Sequence, residues 1–154
     1  MASVQQVADR FIRRAHEVGD PITNLKLQKL VYYAQAWYAT LNEGQPLFPE
    51  PFEAWVHGPV CPPLYDRFRA YQWRPIDENV GATDLPADVC DHLDEVLAAY
   101  GNLTAYTLER LTHQEEPWRQ ARGDLPPDAR CTNVIPVEAM VAFYSRQLAS
   151  GAEV

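Results

Sequence analysis

Between Thr23 and Leu41 the apolar positions Leu27, Leu30, Val31, Ala34, Trp37, Tyr38 and Leu41 recur at i, i+3, i+4 and i+7, the spacing of one face of an α-helix. A second stripe, Leu25, Tyr32, Ala36 and Ala39, runs along the far side, with Lys26, Gln28, Lys29 and Gln35 between the two. A helix that is apolar on two faces is packed on two sides, so this one is expected to run through the domain rather than along its surface. Pro21 ahead of it, Thr23 or Asn24 as N-cap, and Gly44 beyond it mark its ends.

The rest of the chain arranges itself around that helix. Ser3 and Gln6 form a capping box, and Val4, Val7, Ala8, Phe11, Ile12, Ala15 and Val18 keep helical spacing until Gly19, which predicts a helix over 3–18. Gly44, Pro46, Pro49 and Pro51 forbid helix. Residues 52–57 then alternate as a short strand before Gly58-Pro59 turns the chain, giving an edge strand or half of a small hairpin. Pro62 and Pro63 open a helix with Leu64, Tyr65, Phe68 and Tyr71 on one face. Residues 74–86 offer little to bury, and 76–86 read as a surface loop inside one domain. Helix resumes with Val89, Leu93, Val96, Leu97 and Tyr100, capped by Gly101, and again from Asn102 or Thr104 through Leu108 and Leu111. Glu116-Pro117-Trp118 starts a further turn or two ended by Gly123, Pro126-Pro127 makes an irregular crossing, and Pro136 launches a last helix with Val137, Met140, Val141, Tyr144 and Leu148 inward. The expected fold is mainly α, a single compact domain over 1–154 around a central buried helix, with a small β-strand or hairpin.

Composition narrows the function. At 154 residues, 47% of them hydrophobic, with four Trp and eight Tyr, the chain can fill one core and spare aromatics for an interface. Its net charge is −8 with no Lys/Arg-rich run, which disfavours nucleic acid bound through phosphates. The cluster Arg10, Arg13 and Arg14 is interleaved with Asp9 and Glu17 and reads as a solvated face. Cys61, Cys90 and Cys131 are odd in number and far apart, which argues against a disulfide framework or zinc knuckle and for a reducing cytoplasm. No basic-then-apolar signal pattern opens the chain, and no apolar run approaches the ~20 residues that cross a bilayer. A soluble, cytoplasmic protein with no membrane partner is expected.

Candidate chemistry is sparse. His113, Glu115 and Glu116 with His57, Glu53 or His16 have no dedicated metal spacing, and Thr112 or Glu115 is better placed to cap the helix that Pro117 starts. No G-x-S-x-G or phosphate loop is present, so no metal or cofactor is expected. A small hydrolase or transferase built on Glu53, His57, His113 and Glu116 is the enzymatic alternative.

Three blocks together resemble a known family. They are Thr23 to Leu30 with Tyr32 to Trp37; Glu53 to Val60 with Pro63-Leu64-Tyr65; and Thr112-His113 with Pro117-Trp118. In order and spacing, over about residues 4–145, they look like the SocA-like or Panacea antitoxin domain, also known as the phage-associated GepA-like proteins. The resemblance implies a mostly helical domain of prophage and mobile-element toxin–antitoxin pairs that neutralises a toxin encoded next door by binding it. Such toxins include small alarmone-synthetase-like enzymes, and delivery of the toxin to a cellular protease is a further route. Leu27, Gln28, Leu30, Trp37, Gly58, Pro59, Val60, Tyr65, Thr112, His113 and Trp118 carry the motif and are expected to be mainly structural. Many relatives have an extra N-terminal helix-turn-helix or zinc-binding segment. Neither pattern stands in this sequence, so autoregulation by DNA binding does not carry over.

Partner contacts are expected where aromatics leave the core. Trp37 and Tyr38 share the main stripe of the central helix and read as core, whereas Lys29, Tyr32 and Tyr33 fall off it and resemble an exposed hot spot. Glu53, Trp55 and His57 would project from one side of the strand, held by the Gly58-Pro59 turn. Trp55 closing a small core and His57 bonding a backbone carbonyl is the alternative reading. The expected binding surface is therefore Lys29, Tyr32, Tyr33, Trp55 and His57.

Overall fold

The computed structural model describes residues 1–151. Helix α1 spans Val4–Glu17, with both bonds of the capping box formed between Ser3 and Gln6. Val4, Val7, Ala8, Phe11 and Ile12 make up its buried face. Helix α2 spans Asn24–Leu41, with the Thr23 hydroxyl accepting from the Lys26 amide as N-cap. It is the axis of the molecule and packs against α1, strand β2 (Gly58–Val60) and helices α3 (Pro62–Phe68), α4 (Ala87–Tyr100), α5 (Ala105–Gln114) and α7 (Val137–Ala149). Helix α6, Glu116–Arg122, lies against α5 and α7 and ends at Gly123, where φ is +62°.

The mainly α architecture with a small β element is as expected, and several details differ. Strand β1 (Phe52–Trp55) forms the expected small hairpin with β2, but it is not an edge: β3 (Val134–Ile135) pairs antiparallel on its other side, giving the order β2-β1-β3. A two-residue strand ahead of Pro136 has too little sequence to show an alternation. Pro136 is the N-cap of α7 rather than its first residue, and Leu148 is exposed where it was expected to face inward. Leu41, the last residue of α2, is also exposed. The segment after α3 closes with a 3-10 turn at Arg69–Tyr71 and then has no regular structure up to Pro86. It has an anchor nonetheless: Ile76 is fully buried, its amide donates to Ile22 O at 2.8 Å, and His16 Nε2 lies 2.9 Å from its carbonyl.

Nearly the whole of α2 is buried, including four polar side chains, Asn24, Gln28, Lys29 and Gln35. Buried polar groups need partners, and these find most of theirs in the backbone of residues 47–65. The Gln35 amide donates to Phe48 O at 2.8 Å and accepts from Leu47 N at 2.7 Å. Gln28 donates to Asn24 Oδ1 and accepts from Cys61 N, while Asn24 Nδ2 donates to Tyr65 O. The Pro-rich segment 45–61 is thereby pinned to the central helix by side chains. Among the described residues no helix is long and apolar enough to cross a membrane.

Candidate partner-binding surface

The expectation that Lys29, Tyr32 and Tyr33 lie open to a partner is corrected by their exposures of 0%, 1% and 0%. A helix buried on nearly every side leaves little free face, so leaving the main stripe here means entering another side of the same core. Tyr33 donates to Glu115 Oε1 at 2.7 Å and stacks on Tyr100 at 4.1 Å, and Tyr144 donates to the same Glu115 oxygen at 2.8 Å. Tyr32 meets Tyr144 OH at 3.4 Å and packs edge-on to Phe52. Burial pushes the Glu115 carboxyl up to about 7 against the two phenol bonds that favour its charged form, and burial raises all three phenols.

Lys29 runs beneath the hairpin formed by β1 and β2. Its Nζ donates to Pro59 O at 3.1 Å, and burial depresses its ammonium to about 7, with Glu109 opposing. Gly58 makes room for it. A Cβ there would stand 2.6 Å from Lys29 Cε and 2.9 Å from Thr112 Oγ1, at a φ of +104° that only glycine adopts freely. Thr112, buried, donates to Glu109 O. Trp118 Nε1 donates to Trp55 O at 2.7 Å, and the His113 ring lies flat on Trp118 at 4.0 Å, its imidazole held below the ordinary value by burial. Leu27, Leu30 and Trp37 fill the core, and Val60 and Pro59 are buried. Residues from two distant parts of the chain, Lys29 of α2 and Thr112 with Trp118 of the α5–α6 corner, thus brace the hairpin that carries the third.

The hairpin's outer side remains accessible. Phe52 and Ala54 point inward, while Glu53 and Trp55 are half-buried on the opposite face, where Trp55 Nε1 donates to Glu53 Oε1 at 2.8 Å. Trp55 also meets Tyr65 edge-on at 5.1 Å. His57 stands in the turn with 69% of its side chain exposed and Nδ1 3.0 Å from Glu109 Oε1. Beside them is an open groove of about 640 Å³ whose walls include Trp55, His57, Tyr65, Arg69, Trp73 and Arg130.

Sequence reasoning missed Trp73, which is 79% exposed, and the two arginines. A tryptophan set among Gln72, Arg74 and Pro75, with no helical partner, was the available signal. It missed Arg122 as well. That buried guanidinium donates to Ala54 O, Pro126 O and Ala129 O, and so fixes the irregular crossing that carries Arg130 to the groove.

The Glu53, His57, His113 and Glu116 set does not assemble. Glu53 is engaged by Trp55, His57 pairs with Glu109, and Glu116 binds Arg146 on α7. Among the described residues no three His, Cys, Asp or Glu side chains converge as metal ligands.

Comparisons with known proteins agree with this arrangement. Residues 27–119, which run from α2 through the hairpin to Trp118, match the family model described as "Antitoxin SocA-like, Panacea domain". The chain is 30% identical over 125 residues to the protein named Antitoxin SocA from Caulobacter vibrioides (strain NA1000 / CB15N), covering 73% of this chain and 66% of that protein. It therefore spans just under two-thirds of that relative's length. No solved structure matches the chain. With more than half its length inside the matched region, the chain belongs to the SocA-like, Panacea-domain antitoxin family.

Proposed function

We propose that the protein neutralises a cognate toxin by binding it directly, without catalysis, in the cytoplasm where its three free cysteines stay reduced. The docking surface is the outer face of the hairpin, centred on Trp55 and His57, with the adjoining groove. One observation carries this reading: residues of two separate segments converge on a hairpin, itself the third motif segment, whose outer side chains stay accessible. Rigid support beneath an exposed aromatic is how an interface anchor is prepared, since little ordering remains to be done on binding. Lys29, Tyr32 and Tyr33 serve as that support. Glu53 and Glu116 are both engaged elsewhere, which speaks against the hydrolase or transferase alternative.

Co-expression with the adjacent open reading frame tests the proposal. The toxin's growth arrest should be relieved and the two proteins should copurify. Growth arrest that persists, with no complex recovered, would refute it.

A further inference from the structure

The groove beside the hairpin has a charge opposite to that of the molecule. The chain carries −8 overall, yet the groove's lining includes Arg69 and Arg130 and no carboxylate. Three nearby acids are engaged by its walls: Glu53 accepts from Trp55 Nε1, Asp66 accepts from Arg69 at 2.6 Å, and Glu109 Oε1 lies 3.0 Å from His57 Nδ1. The Arg69–Asp66 pair is exposed on both sides and is worth little in water, so a partner carboxylate can exchange for it. Arg130 forms no ion pair among the described residues. The same groove is lined by Trp55, Tyr65 and Trp73, and Trp73 is left 79% exposed. A space of about 640 Å³ admits one or two large side chains.

We propose that this groove takes an acidic segment of the partner protein, its carboxylates set against Arg69 and Arg130 and one large apolar side chain seated against Trp73 and Trp55. The partner's identity as a toxin rests on the antitoxin reading; the chemistry of the segment rests on the groove. Nucleic acid fits less well, because two arginines on a chain of −8 offer few phosphate contacts and the remaining field repels a polyanion.

The full-length protein is titrated with three labelled, end-capped peptides: Asp/Glu-rich with a central phenylalanine, the same with a central alanine, and a version with lysine at every acid. The acidic phenylalanine peptide should bind about tenfold tighter than the lysine version and lose affinity as salt is raised. Replacing the phenylalanine by alanine should weaken it about fivefold or more, as loss of a buried apolar anchor does. Arg69→Glu with Arg130→Glu, both substitutions in a solvent-open groove, should remove the preference for acid. Equal affinity for acidic and basic peptides would overturn the proposal, as would full binding by the double variant. So would displacement of the peptide by a single-stranded oligonucleotide at lower concentration than the peptide itself requires. In cells, a wild type that rescues growth alongside a double variant that rescues equally well would overturn the groove and leave the antitoxin reading intact. A wild type that neither rescues nor copurifies would end the antitoxin reading, and the peptide titration would then decide the groove alone.

Discussion

At Gly58 a backbone φ of +104° and the Lys29 side chain act on the same point in space, since a Cβ would fall 2.6 Å from Lys29 Cε. Gly58→Ala is therefore expected to cost about 2–4 kcal/mol, from left-handed strain and from displacing a buried lysine. Chemical denaturation measures this, and a change within a few tenths of a kcal/mol would contradict the packing described. Lys29 and Glu115 give the stability a pH dependence. Glu115 rises from 4.5 to about 7 on folding, so between those values the folded state binds the extra proton and stability falls as pH rises. Lys29 drops from 10.5 to about 7, so between 7 and 10.5 the unfolded state binds the extra proton and stability rises with pH. Glu115→Gln should flatten the acid limb, by up to about 3 kcal/mol at pH 8, and Lys29→Met should flatten the alkaline one. Denaturation midpoints across pH 4.5–10.5 that run parallel in wild type and variants would show that neither group is buried as described. The burial of Lys29, Tyr32 and Tyr33 was not legible from their spacing, because a helical wheel separates faces and does not say how many are packed.

At the scale of elements, most helices could be read from the sequence because their spacing and caps agree. Ser3 with Gln6, Thr23 and Thr104 all cap where their positions indicate. The hairpin was legible as alternation ended by Gly58-Pro59. Its third strand was not, since Val134–Ile135 is two residues long and reaches β1 across a crossing tied to α6 by hydrogen bonds from Arg122 and Asn133. A clue to the polar face of α2 was present: the prolines at 46, 49, 51 and 59 deprive the following segment of a regular ladder, so its backbone must find side-chain partners. Gln35→Leu tests this. It leaves Leu47 N and Phe48 O without the partner they now have, at about 1–3 kcal/mol each. Amide exchange should quicken across 45–50 while the amides of α1 stay protected; uniform protection throughout would contradict the pinning role.

At the scale of the molecule, the central helix, the hairpin and the α5–α6 corner form one support, and the exposed groove is the feature that support leaves open. The family resemblance was legible because its motif residues build this support, and such residues occur in fixed order along the chain. The groove was not legible, because Arg69, Trp73 and Arg130 come from segments without periodicity that meet only after folding. The central claim is that the hairpin's outer face binds the toxin. The most direct measurement is the dissociation constant of the complex with the product of the adjacent gene, for wild type and for Trp55→Ala with His57→Ala. Each lost anchor is worth about 2 kcal/mol, so the double variant should bind roughly a thousandfold more weakly while its circular dichroism matches wild type. A folded double variant with wild-type affinity would place the toxin on another surface of this protein.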